Sequence, residues 1–199
     1  MYRSTGLFLV AAAALLVTSC ADPKPETSTP ESSASTAVKP ASMTKGTFGP
    51  YTADGKAVTY DPAVVPPGAT ASVGITEADG TTIVTLETQG LVPDRVYGAH
   101  LHTKPCGETG KAAGPHYQHE HDPAAKASPP SVDPSYANPQ NEVWLDLTTD
   151  SQGAGTSKST QQWTFTAKPQ SLILHAKKTE TAPGKAGTAG DRVACLTIS

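Results

Sequence analysis

The chain has 199 residues, enough for one domain of about 150 residues with extra segments. Eighteen Pro, 17 Gly and only 17% charged residues suit a turn-rich β fold and exclude a long-helix bundle. Fifteen Lys and Arg against 18 Asp and Glu leave a net charge of −3, which gives no basis for a phosphate-backbone partner, so nucleic acid is set aside.

In chain order, the first segment reads as an export signal. Arg3 is its only charge, and the apolar run that follows, residues 7–17, is too short to cross a bilayer as a helix. The run ends in Val17-Thr18-Ser19-Cys20, which resembles the bacterial lipobox, where cleavage precedes the cysteine and its thiol takes the lipid. Residues 1–19 are therefore expected to be a lipoprotein signal peptide and Cys20 the lipidated first residue, an ordinary signal with an incidental cysteine being the alternative. Loss of Arg3 leaves 14 bases against 18 acids, a net charge of −4. Residues 21–45 hold four Pro, five Ser and four Thr and no aromatics, and cannot bury enough apolar surface to offset ordering entropy. Residues 20–45 are expected to be a flexible tether holding a domain of residues 46–199 at the extracytoplasmic membrane surface.

The domain reads as short strands punctuated by turns. Candidate strands lie at 56–60, 71–76, 82–88, 95–102, 142–148, 161–166, 171–175 and 193–198. Asp79-Gly80 supplies a two-residue hairpin turn between the second and third. The connection 103–141 is too rich in Pro for a helix. About eight short strands predict an all-β sandwich or barrel. With Cys20 lipidated, Cys106 and Cys195 form an even pair in an oxidising compartment, where a disulfide is the default expectation. A thiolate metal site is the alternative, weakened by the absence of C-x-x-C spacing.

All six histidines fall between positions 100 and 175. Alternation along 95–102 puts Tyr97, Ala99 and Leu101 on the core face and His100 and His102 together on the other. Two imidazoles so placed can share one metal, or can sit solvated on an outer sheet face. His116, His119, His121 and Asp122 lie in a loop with irregular backbone, either aimed inward as ligands or solvated. His175 ends an apolar strand, where a strand meets a loop.

These residues resemble the copper/zinc superoxide dismutases over about residues 70–199. The similarity is carried by Gly90-Leu91, Tyr97-Gly98-Ala99-His100-Leu101-His102, Cys106, Gly114-Pro115-His116-Tyr117, Ser171-Leu172-Ile173-Leu174-His175 and Arg192-Val193-Ala194-Cys195, in the family's order. The resemblance implies an eight-stranded Greek-key β-sandwich and a copper site made by His100, His102, His116 and His175. It also implies a disulfide between Cys106 and Cys195, an anion-attracting arginine at Arg192, and a histidine at His116 that carries a proton when zinc is present. The implied activity is dismutation of superoxide to oxygen and hydrogen peroxide. Lys177, Lys178 and Lys185 are candidates for local attraction of the anion, or simply solubilising charges. Arg192 could instead form a surface ion pair with Asp191.

The departures cluster at the family's zinc site. His119 and His121 follow His116 at once, Asn141-Glu142-Val143 occupies the later region, and Thr179 stands where the family has an aspartate linking the two metal shells. Only 17 positions separate His175 from Arg192, a shortened guiding loop. This pattern resembles the copper-only branch, with His119, His121 and Asp122 as candidates for an unusual second site for zinc. A copper-buffering or copper-delivering lipoprotein on the same fold is the alternative function, and a β-sandwich whose site has decayed is a third. The anion-guiding Arg192 favours the enzyme, because storage needs no such guide. The sequence carries no signal for oligomeric state.

Overall fold

The computed structural model describes residues 41–126 and 130–198. The signal segment, Cys20 and residues 20–40 of the tether lie outside the described residues. Nine strands form two antiparallel sheets. They are β1 (Ser42–Thr47), β2 (Ala57–Thr59), β3 (Thr70–Ala78), β4 (Thr81–Gln89), β5 (Val96–His102), β6 (Leu147–Thr148), β7 (Gly155–Gln161), β8 (Ser171–His175) and β9 (Arg192–Thr197). One sheet runs β1-β3-β4-β7 and the other β2-β9-β8-β5-β6, so the chain changes sheet between β1 and β2, β2 and β3, β4 and β5, β6 and β7, and β7 and β8. The only helical turn among the described residues is a 3-10 turn at Gly110–Ala113.

The sheets pack because each strand offers one apolar face. Val73, Val84 and Leu86 of the first sheet meet Tyr97, Ala99, Leu101, Leu172, Leu174, Ala194 and Leu196 of the second in one buried core. Asp79 and Gly80, at φ 50° and 75°, make the tight β3–β4 turn that the sequence announces.

Three strand expectations are corrected. Ser42–Thr47 pairs with β3 along its whole length, so four residues assigned to the tether belong to the sheet. The strand is an edge with a mostly exposed polar sequence, and no apolar alternation marks it. The strand expected at 161–166 lies instead at Gly155–Gln161, another edge strand with no apolar side chain. Its buried Gln161 hydrogen-bonds the Pro139 and Glu142 carbonyls through Nε2, so burial there is satisfied by polar contacts rather than signalled by hydrophobicity. The aromatic pair that prompted the expectation, Trp163 and Phe165, packs beyond the strand end against Tyr117. Of the strand expected at 142–148 only Leu147–Thr148 is a regular ladder. Residues 142–146 run beside β5 through isolated contacts, the Leu145 N–H donating to the Ala99 carbonyl at 2.7 Å.

The outer face of the second sheet is also buried. Gly98, His100 and His102 of β5 lie opposite His175, Ile173 and Ser171 of β8 on that face, and His100 and His102 are both 0% exposed. Cys106 and Cys195 are disulfide-bonded, with Cα atoms 5.7 Å apart, which ties the loop after β5 to β9. The Cys106 N–H donates to Thr197 Oγ1 and the Tyr60 hydroxyl to the Gly107 carbonyl, fixing the same loop at further points.

Candidate metal centre

The strand pairing brings His100, His102 and His175 to one patch of the outer face. The loop after the 3-10 turn folds back through a bridge between His116 and His102 and delivers the fourth imidazole. One ring nitrogen from each of His100, His102, His116 and His175 lies within 4.8 Å of the others.

Each ring is held by its other nitrogen. His102 Nδ1 donates to the Gly114 carbonyl at 3.0 Å, His175 Nδ1 to the Gly190 carbonyl at 3.3 Å, and His116 Nδ1 to Glu142 Oε2 at 2.8 Å. His100 is reversed: its Nε2 bonds Thr179 Oγ1 at 2.7 Å. What remains is His100 Nδ1, His102 Nε2 and His175 Nε2, all buried with no hydrogen-bond partner, and His116 Nε2. Buried polar atoms without partners are costly, and four nitrogen donors turned toward one point relieve that cost by binding a cation. Imidazoles held on their far side by carbonyls and carboxylates are the usual form of metal-ligating histidine. The donor set fits copper or zinc, with copper(II) bound more tightly by such nitrogens.

Burial lowers the pKa of His100 and His102 well below the ordinary 6.5 and that of His175 to about 3, with the neighbouring His116 adding to the shift. Neutral rings keep their lone pairs for a metal at neutral pH.

Glu142 is the residue that motif reading passed over as a site component. Its carboxylate is 2% exposed and accepts from His116 Nδ1, from Trp144 Nε1 at 2.7 Å and, at the other oxygen, from Gln118 Nε2 at 2.8 Å. A signal for it exists in the sequence: Glu142, Trp144 and Asp146 alternate with the buried Val143 and Leu145, so they face the same side as His100.

His119, His121 and Asp122 are not part of the group whose ligand atoms converge, while His121 and Asp122 line one hollow with His116. The His119 ring stacks flat on Trp163, 4.8 Å between centroids and 3° from parallel, with Nε2 3.7 Å from Glu120. His121 is exposed. Asp122 accepts from the Ser131 hydroxyl at 2.6 Å and the Ala124 N–H at 2.8 Å, bonds that hold its carboxyl below the usual range. Among the described residues the four-histidine group is the one cluster whose ligand atoms converge.

Arg192 opens β9 beside His175. Its Nη1 donates to the Gly110 carbonyl at 2.8 Å rather than to Asp191, and the guanidinium remains charged in its half-buried setting. With His116, His175, Thr188 and Gly190 it lines a hollow of about 160 Å³, room for a small anion. Thr188, Ala189 and Gly190 also border a second hollow lined by Lys177, Lys178, Glu180 and Lys185, where the bases outnumber the acid, so net positive charge lies beside the first hollow.

Residues 69–198 match the family model described as copper/zinc superoxide dismutase, and the chain belongs to that family. The fold is similar to that of the Cu/Zn superoxide dismutase from Brucella abortus, at 20% identity over 79% of this chain and 100% of that one, with a TM-score of 0.51. It is also similar to a single-substitution mutant of a SOD-like protein from Bacillus subtilis, at 18% identity, 64% and 88% coverage and a TM-score of 0.47. No curated protein sequence matches significantly.

Proposed function

We propose that this protein is a copper-dependent superoxide dismutase, exported and held at the extracytoplasmic membrane surface by lipid on Cys20. The observation that carries the reading is that four imidazoles, each fixed at one ring nitrogen, turn the other toward a common point beside the Arg192 hollow. Copper bound there would supply a one-electron couple, taking an electron from one superoxide and returning it to the next. The balance is two superoxide and two protons to one oxygen and one hydrogen peroxide.

The chain's own residues supply the rest. Lys177, Lys178 and Lys185 raise the local concentration of the anion although the net charge is negative. Arg192, fixed by Gly110, holds the anion in the hollow with a charge that does not titrate near neutral pH. The same hollow connects to solvent, the source of both protons. Glu142 occupies His116 Nδ1, the atom a second metal would need in order to share this ring, which supports a one-metal site without zinc.

The test is to load the full-length protein with copper, count metals per chain, and follow superoxide decay. We expect about one copper, no required zinc, and catalysed decay that falls at least tenfold in Arg192→Ala while copper content holds. Loaded protein that turns over no faster than buffer would remove the enzyme reading and leave copper buffering or delivery in its place.

A further inference from the structure

The family's linking aspartate is absent, yet His100 is still oriented by a carboxylate, and the route is visible in the hydrogen bonds. Asp146 Oδ1 accepts from the Thr179 hydroxyl at 2.6 Å, and its Oδ2 accepts from the Thr179 N–H at 2.8 Å. The same hydroxyl oxygen is 2.7 Å from His100 Nε2, while Asp146 Oδ1 itself stands 3.8 Å from that nitrogen, beyond hydrogen-bond reach. A hydroxyl has one proton. It is committed to the carboxylate, so at His100 the threonine oxygen can only accept, and Nε2 must carry the ring proton. The buried, unpartnered Nδ1 is thereby left with its lone pair facing the other three histidines.

Two features show that the relay is built into the fold. Asp146 lies on the stretch following β5's neighbour Trp144, and its Oδ1 also accepts the Ala99 N–H of β5 at 3.2 Å, so the carboxylate is registered against the strand that carries His100. Thr179 lies on the β8–β9 loop, which crosses β5 at Gly98. There the Gly98 N–H donates to the Lys177 carbonyl at 2.7 Å, and an added Cβ would stand 2.6 Å from the Ala189 Cβ.

We infer that Asp146 and Thr179 are positioning residues that set the proton position and ring orientation of His100, and so tune the affinity and electronic geometry of the metal site. The inference rests on reading the four-histidine cluster as a copper site, but it does not depend on turnover.

The experiment measures copper(II) affinity by chelator competition and the electron paramagnetic resonance spectrum of the copper-loaded full chain, for wild type, Thr179→Val, Thr179→Ser and Asp146→Asn. Thr179→Val keeps the volume and removes the oxygen. We expect copper binding about 10- to 100-fold weaker and an altered spectrum, as for loss of other groups that orient metal ligands. Thr179→Ser should restore both, and Asp146→Asn should shift both in the direction of Thr179→Val. Wild-type affinity and spectrum in Thr179→Val, or an equal loss in Thr179→Val and Thr179→Ser, would overturn the inference. Should Thr179→Val not fold, an unchanged spectrum in Asp146→Asn would overturn it alone. Loss of dismutation with these copper effects intact would count against the enzyme reading and leave the relay standing.

Discussion

Replacing Glu142 separates what its charge contributes from what its acceptor oxygens contribute. In the native protein one buried carboxylate serves three donors, His116 Nδ1, Trp144 Nε1 and Gln118 Nε2, at 2.8, 2.7 and 2.8 Å. Leucine at 142 keeps much of the volume but strands all three. A stranded buried donor costs about 1–3 kcal/mol, and His116 and Trp144 are partly exposed, so the low end applies and the sum is about 3–5 kcal/mol. Relief from burying a charge offsets some of this, as happens when a buried ionic group is replaced by an apolar one, but here the partners remain. At about 2–4 °C per kcal/mol for a chain of this size, the melting temperature of the metal-free protein should fall by roughly 10 °C. Glutamine is the informative control. Its Oε1 can accept from His116 and Trp144, and Gln118 can rotate its amide to accept from the new NH₂, so only the charge is lost, about 1 kcal/mol. The assay is urea and thermal unfolding of metal-free Glu142→Leu and Glu142→Gln, with copper affinity measured alongside. Leu and Gln variants of equal stability, or a Leu variant as stable as wild type, would refute the reasoning.

Stability of the metal-free protein should depend on pH in one direction. The unfolded histidines protonate near 6.5 whereas burial holds His175 neutral down to about 3 and keeps His100 and His102 well below 6.5. The contribution is therefore complete above about pH 6.5 and is lost as pH falls below it, with a slope of about 1.4 kcal/mol per pH unit per unmatched proton. Urea midpoints at pH 8, 6 and 5 read this directly, and a flat profile would contradict it. Copper should move the loss to lower pH, because the bound form competes with protonation. Reducing the Cys106–Cys195 bond, which closes a separation of 89 residues, should lower stability by about 4–5 kcal/mol on the chain-entropy model, read from unfolding with and without reductant. Gly98→Ala should destabilise by about 1–3 kcal/mol and weaken copper binding, since its Cβ would stand 2.7 Å from the Lys177 carbonyl on the loop that carries Thr179. A variant with native melting temperature and affinity would show that the loop yields at no cost.

The site was legible wherever local pattern and chemistry coincide. Alternation along β5 separates Tyr97, Ala99 and Leu101 from His100 and His102, and the structure places those residues on those two faces. The cysteine count alone made a Cys106–Cys195 disulfide the default, and that bond is present; resemblance of motif order joined His116, His175 and Arg192 to the site, and these three line one hollow. The edge strands β1 and β7 were not legible, because an edge buries little and their side chains are polar. Nor could the sequence show that His119 would stack on Trp163 and that Asp122 would cap a local turn rather than join a second cluster.

The sequence by itself determined the strand class and, along β5, the division between the core-facing residues and the paired His100 and His102, since these follow from residue type and a two-residue period; that His116 and His175 complete a group of four was implied by the resemblance of motif order. Which nitrogen of each ring is free was decided only by the tertiary structure. A tautomer depends on what touches the opposite side of the ring. For His100 that is Thr179, 79 positions away, and for His116 it is Glu142, 26 positions away. No periodicity within a strand encodes contacts at such separations; they exist once the sheets pair and the loops close over them.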